Sequence, residues 1–418
     1  MSGFAYKDGV LHADGVSLPA IAAQVGTPAY VYSATRLAAN YQRLKEALPE
    51  AQLCFAVKAN GNLAVLKLLA GLGAGADIVS GGELKRALKA GFAPGKIVFS
   101  GVGKTTDEIS AALKAGIHQL NAESLEELDM IEAAAARLGV RAPVALRVNP
   151  DVAADTHHKI ATGRKGDKFG IDHEQLPQVL ARLPKLAHVE LLGLAVHIGS
   201  QLFDIDTYQK AYGIVGDYVT ALRQQGAALT RLDLGGGMGV PYQPGQREFD
   251  CAAYAGMVRQ TLGNLGCALT LEPGRFIVAD AGVLLSRITL IKQGVSERFV
   301  ILDAAMNDLI RPAMYESYHH IRPVHAPAAG EALEPANIVG PVCESGDSFA
   351  SERPLPRLAA GELVVLETAG AYGAVMGGTY NARDLCPEVL VSGEKWAEVR
   401  TRIRPETQMQ WDNIPDWV

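Results

Sequence analysis

The stretch Leu53-Cys54-Phe55-Ala56-Val57-Lys58 is an apolar run closed by a lysine, and an amphipathic segment, residues 64–72, follows before the next apolar run at 76–79. A short apolar run next to a helix-period segment reads as a strand buried on both faces, as parallel sheets require. The same unit recurs. Apolar runs at 97–99, 117–120, 144–148, 191–196, 232–234 and 268–271 follow, with helix-like segments at 83–90, 107–115 and 125–138. Gly91, Gly116, Gly139 and Gly226 stand where helices should end. A doubly wound open sheet would use the same alternation. Eight runs over about 220 residues instead fit an α/β fold of the (β/α)8 TIM type.

After residue 279 the pattern changes. Residues 283–291, 299–302, 363–367 and 389–391 are strand-like and separated by Gly- and Pro-rich turns. The expected organisation is therefore a barrel over 33–278 and a mostly β C-terminal domain over 279–418. Residues 1–32, including Pro28-Ala29-Tyr30-Val31-Tyr32, precede the first barrel helix at 34–48 and are expected to pack with the β domain. The 418 residues, 48% hydrophobic and 20% charged, suit such a two-domain globular chain and argue against disorder. A net charge of −6 without a polybasic stretch gives nucleic acid or anionic lipid nothing to bind. No apolar run approaches the ~18 residues of a membrane span, and the N-terminus lacks a signal-peptide pattern, so a cytoplasmic enzyme is expected. Cys54, Cys251, Cys267, Cys343 and Cys386 are scattered, with no C-x-x-C pair. His157-His158 and His319-His320 are adjacent rather than at metal-ligand spacing, and no metal is expected.

In a barrel the loops after the strands carry the chemistry. The expected strand ends hold Lys58, Asp77, Ser80, Asn121, Arg147, His197, Gly235-Gly236-Gly237 and Glu272-Pro273-Gly274-Arg275. Lys58 is the sharpest case, because a lysine ending a buried strand must be paired, solvated or chemically used. Its amine could form a Schiff base with an aldehyde, or simply snorkel to the barrel mouth. The three glycines let backbone N–H groups approach an anion closely, and they equally suit a tight turn. Glu272 could pair with a cationic ring nitrogen and Arg275 with a carboxylate; an ordinary ion pair between them would explain both. His197 reads locally as a structural histidine. Gly101-Val102-Gly103-Lys104-Thr105 is no phosphate loop, since the required earlier glycine falls on Val98.

Taken together, Phe55-Ala56-Val57-Lys58-Ala59-Asn60, His197-Ile198-Gly199-Ser200-Gln201, the triple glycine and Glu272-Pro273-Gly274-Arg275 resemble the fold-type III pyridoxal-phosphate decarboxylases. The segments Asn307-Asp308-Leu309-Ile310-Arg311-Pro312, Cys343-Glu344-Ser345-Gly346-Asp347 and Gly370-Ala371-Tyr372-Gly373 narrow this to the diaminopimelate decarboxylase branch, and the likeness runs from about residue 4 to 391. The resemblance implies a barrel with a β domain, and pyridoxal 5'-phosphate as cofactor. Lys58 would hold the cofactor covalently, His197 would stack on its ring, and Glu272 would keep the pyridine nitrogen protonated. Ser200, Gly237, the Glu272-Pro273-Gly274-Arg275 loop and Tyr372 would bind the phosphate. Arg275, Arg311 and Tyr315 would hold the distal carboxylate of the substrate, with Tyr372 nearby, and Glu344 its distal ammonium. Cys343 would return a proton to carbon after carbon dioxide leaves.

The implied reaction converts meso-2,6-diaminopimelate to L-lysine in a homodimer with shared active sites. Two arginines beside an acid suit a zwitterionic end better than a plain diamine. Two rivals compete: a relative acting on another amino acid, which Arg311 with Glu344 disfavours, and a non-catalytic cofactor-binding barrel, which needs neither the β domain nor Cys343. The sequence departs from the family pattern at Gly377-Gly378-Thr379 and at His157-His158-Lys159.

Overall fold

Burial on both faces decides the barrel strands. In the first, Gln52–Ala56, all but Gln52 are buried, and the second, Gly75–Ile78, is buried throughout. The computed structural model describes residues 3–152 and 168–418; the His157-His158-Lys159 departure lies outside them. By packing, the chain divides into two units, one of residues 40–240 with 247–277 and one of residues 1–39, 241–246 and 278–418.

The first unit is the barrel. Its eight parallel strands are Gln52–Ala56, Gly75–Ile78, Ile97–Phe99, Gln119–Ala122, Ala142–Asn149, Val189–Ala195, Arg231–Asp233 and Ala268–Leu271. The sheet closes because Thr270 and Leu271 pair with Gln52 and Leu53, so the open-sheet alternative is excluded. Helices between the strands are capped by their own sequence. Thr105 and Glu108 form a reciprocal capping box on Thr106–Ala115, and Ser124 caps Leu125–Leu138. Gly91, Gly116 and Gly139 end three helices in the left-handed conformation, as their placement in the sequence anticipates. Ser80, read as a strand-end residue, is the N-cap of Gly81–Ala90 and accepts the Glu83 N–H at 3.2 Å.

The fourth strand lies two residues beyond the apolar run 117–120. Gln119 and Asn121 are buried inside it, with Gln119 donating to Asn121 Oδ1 at 2.9 Å. Polar residues that hydrogen-bond to one another inside a barrel do not register in a hydrophobic pattern.

The second unit is largely β. Its long strand Gly282–Gln293 pairs antiparallel with Ala29–Ser33, Leu363–Leu366 and Arg298–Leu302, and Ala29–Ser33 also runs parallel to Glu388–Ser392. Leu11, Leu18 and Ile21 from the N-terminal segment pack with Val31, Val283, Leu285, Val365 and Val389 in one core. Among the described residues no helix is long and apolar enough to cross a membrane.

The sixth strand shifts register against the fifth between Leu191 and Gly193, and a Cβ on Gly193 would lie 2.2 Å from the Arg231 carbonyl oxygen. Gly193→Ala should therefore destabilise the barrel by about 1–3 kcal/mol, the usual cost of overpacking. A lower urea midpoint with an unchanged slope checks this.

Candidate active site

Lys58 sits in a single 3-10 turn, Val57–Ala59, directly after the buried first strand. Its Nζ lies 2.8 Å from Asp77 Oδ2, with the lysine side chain 39% exposed and the aspartate wholly buried. The second strand delivers Asp77 by register, opposite Ala56. The other Asp77 oxygen is buried and has no hydrogen-bond partner.

Glu272 follows the eighth strand, the neighbour of the first. Ser100 Oγ donates to its Oε1 at 3.2 Å, and Asn121 Nδ2 reaches the same oxygen at 3.4 Å. Asn121 also donates to Asp233 Oδ2 at 3.1 Å, while Asp233 Oδ1 accepts the Gly235 N–H at 3.0 Å. Burial first, then the negative charges of Asp233 and Asp77, push the Glu272 carboxyl well above its ordinary range, against the opposing pull of Lys58. Burial likewise raises Asp233 to about 6, although Asn121 and Glu272 donate to it. These two carboxyls titrate as a pair. Sequence reading passed over Asp233 and Ser100; the available signal was an acid between two leucines, Leu232-Asp233-Leu234.

The three glycines form a turn that no other residue could make. Gly235 and Gly237 have φ of 65° and 96°. Added Cβ atoms at Gly235, Gly236 and Gly237 would meet the carbonyl oxygens of Val196, Glu272 and Gly199 at 2.4, 2.3 and 2.4 Å. The Gly236 N–H donates to His197 Nδ1 at 3.2 Å. Burial, with Arg147 and Lys58 nearby, holds the His197 ring well below its ordinary pKa, so it is neutral with its proton on Nε2.

The loop after His197, with Ser200, is zipped to the glycine turn. Leu202 N–H donates to the Gly237 carbonyl at 2.9 Å, and the Gln201 carboxamide bonds both the Val240 carbonyl and N–H, at 2.6 and 3.2 Å. Behind the turn, Tyr212 donates to the Leu234 carbonyl at 3.0 Å and shares a 2.8 Å bond with Tyr254. Pro273 accepts the Ala56 N–H at 3.2 Å, and a Cβ on Gly274 would lie 3.1 Å from the Cβ atoms of Ala56 and Ala59, which brings the Glu272-Pro273-Gly274-Arg275 loop against the Lys58 turn. The barrel thus gathers Lys58, His197, Ser200, Gly237, Glu272, Pro273, Gly274 and Arg275 around its strand ends.

Arg147 lies near them within its own network. It pairs with Glu123 at 2.9 Å, and Glu123 also accepts the N–H groups of Gly101 and Gly170. Lys104, from the discarded phosphate-loop motif, is buried and paired with Glu127 at 2.7 Å.

The remaining residues singled out in the sequence lie in the β unit. Arg311 is buried at the start of the helical turn Arg311–Tyr315. Its guanidinium lies 4.6 Å over the Tyr242 ring and 2.9 Å from His319 Nε2, and His319 Nδ1 bonds the Glu367 carbonyl at 2.8 Å. Tyr315 is partly buried; Cys343 and Glu344 are exposed on the loop between Val339 and Ser348. Tyr372 holds a left-handed φ of 54° directly after Gly370-Ala371, a conformation that costs energy for an aromatic residue.

Asp77, Asp233 and Glu272 bring three carboxyls to the barrel, Asp77 paired with the Lys58 amine and keeping one unpartnered oxygen. That donor set suits a ligand bringing an aldehyde for the lysine and a protonated ring nitrogen for the acids, beside a turn of three glycines whose backbone is not shielded by side chains. Pyridoxal phosphate has these groups, and the residues fit it. Among the described residues no group of three or more His, Cys, Asp or Glu is arranged to hold a metal.

Comparison with known proteins agrees. Residues 34–279 match the family described as "Pyridoxal-dependent decarboxylase, pyridoxal binding domain", so the fold is that of a pyridoxal-dependent decarboxylase of fold type III. The chain is 45% identical to the diaminopimelate decarboxylase of Zymomonas mobilis, with 100% of each chain covered, and 48% identical to that of Pseudomonas aeruginosa, with 96% of each covered. A solved structure of the M. jannaschii diaminopimelate decarboxylase in co-complex with L-lysine superposes with a TM-score of 0.94 at 37% identity, over 99% of each chain. The chain belongs to the diaminopimelate decarboxylase family.

The Asp233 carboxyl generates a pH prediction. Its pKa rises from 3.8 in the unfolded chain to about 6 in the folded one, so between these values the folded state binds more protons and stability falls as pH rises. The penalty is absent below 3.8 and grows as pH rises through about 6, carried jointly with the coupled Glu272 carboxyl. In the cofactor-free protein, Asp233→Asn should remove this loss, and urea midpoints of variant and wild type should diverge from pH 4 to 6. Parallel midpoint curves would contradict it.

Proposed function

We propose that this protein is a pyridoxal-phosphate-dependent decarboxylase that converts meso-2,6-diaminopimelate to L-lysine and carbon dioxide. The observation that carries the reading is the Lys58 amine paired with Asp77, with Glu272 within electrostatic reach, in a chain aligned end to end with named diaminopimelate decarboxylases. When bound, the cofactor supplies an electron sink for the pair left on carbon as the carboxylate departs.

The protein's own residues do the rest. Lys58 holds the cofactor through Nζ. Glu272 would hold the proton of the ring nitrogen, and a cation there would relieve the crowding of buried negative charge that raises Glu272. Neutral His197 would cover the ring without adding a positive charge beside Lys58 and Arg147. The N–H groups around Gly237 and Ser200, the Glu272-Pro273-Gly274-Arg275 loop and Tyr372 hold the phosphate. Arg275, Arg311 and Tyr315, with Tyr372, take the distal carboxylate and Glu344 the distal ammonium, so a substrate with one charge of each sign is selected over a plain diamine. The carbon–carbon bond to the departing carboxylate breaks, and Cys343 delivers the proton that forms the new carbon–hydrogen bond. The protein acts in the cytoplasm, where its five free thiols stay reduced.

The deciding experiment measures carbon dioxide release from meso-, LL- and DD-diaminopimelate, lysine, ornithine and arginine. Release from the meso isomer is expected, with borohydride fixing the cofactor on Lys58 by peptide mapping and Lys58→Ala losing both label and turnover. A yellow, reducible protein that leaves meso-diaminopimelate intact would overturn the substrate, and label on another lysine would overturn the site.

The active form is proposed to be a homodimer in which each β domain supplies Cys343 and Glu344 to the neighbour's barrel. Lys58→Ala and Cys343→Ala chains should each be nearly inactive, the second by about 10²–10⁴-fold. Refolded together they should recover roughly a quarter of wild-type activity, since half the dimers are mixed and each carries one intact site. No recovery from verified mixed dimers would place Cys343 in its own chain's site.

A further inference from the structure

The loop that carries Cys343 and Glu344 has little regular structure, yet it is tied down on both sides of the cysteine. On one side, the buried Asp347 carboxylate accepts the Val342 N–H at 2.7 Å and the Met306 N–H at 2.6 Å. The fit is close, for a Cβ on Gly340 would lie 2.3 Å from Asp347 Oδ2. On the other side, the Cys343 N–H donates to Asn381 Oδ1 at 2.9 Å. The segment holding Asn381 is itself fastened: buried Asn307 donates from Nδ2 to the Tyr380 carbonyl at 2.7 Å, and its own carbonyl accepts the Gly378 N–H at 3.0 Å. Residues 306–307, 342–347 and 378–381 therefore form a closed circuit of hydrogen bonds with Cys343 on its rim. Asn307 and Asp347 are its buried feet, 6% and 3% exposed.

We propose that Asn381 is a positioning residue for Cys343, fixing the cysteine's backbone amide so that its thiol has only its own side-chain rotation left. Asn381 adopts φ 59° and ψ 25°, a left-handed conformation that asparagine tolerates better than most residues. That conformation turns its carboxamide back on the loop. The adjacent Gly377-Gly378 departure from the family pattern leaves this circuit intact, since Gly378 contributes its N–H and a Cβ there would meet nothing within 4 Å. Proton delivery depends steeply on distance and angle, so a residue that never touches substrate controls it through the peptide bond before the thiol.

The inference rests on the reading of Cys343 as the proton donor. Asn381→Gly removes the acceptor while keeping left-handed freedom. In the holoenzyme kcat should fall about 3- to 10-fold, the worth of one ordinary hydrogen bond, with KM, cofactor absorbance and thermal midpoint unchanged. Iodoacetamide labelling followed by peptide mapping should show Cys343 reacting severalfold faster, with Cys267 as internal reference, because a freed loop exposes the thiol more while aiming it less well. Asn381→Asp keeps both the acceptor and the backbone tolerance, and should restore most of kcat. If Cys343→Ala abolishes turnover while Asn381→Gly leaves kcat and labelling at wild-type values, the positioning role is overturned. If Cys343→Ala keeps its turnover, the proton-donor reading itself falls.

Discussion

The constraint on which the barrel site depends is the burial of carboxyl groups around one amine. Asp77 and Asp233 are placed by the register of two different strands, and Glu272 follows directly on a third. Burying such groups together is costly, which is why their proton affinities rise. A fold does not retain that cost for stability alone. A cationic ring joining the set would offset that cost.

Around this centre the loops are rigid for reasons that can be named. The glycine turn is pressed against three carbonyl oxygens, so no side chain fits there. Gln201 imitates a strand partner with its carboxamide, and Tyr212 with Tyr254 holds the turn from behind. A second buried layer, Glu123 with Arg147 and Lys104 with Glu127, braces neighbouring loops. Breaking either pair would strand a buried charge, a loss of about 3–5 kcal/mol.

The β unit solves a different problem. Its distinctive residues lie on loops and on one helical turn, so side-chain bonds do the work that register does in the barrel. Arg311 is aimed by Tyr242 and His319, and His319 is fixed in turn by the Glu367 carbonyl. The Cys343 loop is held by Asp347 and Asn381.

Much was legible in the sequence because it depends on local patterns. Eight apolar runs with capped helices between them specify parallel strands, and the lysine, glutamate and glycines stand just after their ends, as the sequence pattern places them. The fourth strand and Asp233 were less visible, because Gln119, Asn121 and Asp233 are polar residues inside strands and only a closed barrel supplies their partners. Ser80 looked functional and is a cap, since a serine at a strand end and at a helix start has the same place in the chain. The sequence by itself determined the alternation, the turns and which polar residues stand at the strand ends. Tertiary structure alone decided which carboxyls share a proton, that His197 is neutral, and which distant asparagine meets the Cys343 amide. Those properties arise from burial and from contacts between segments far apart in the chain, and neither has a local signature.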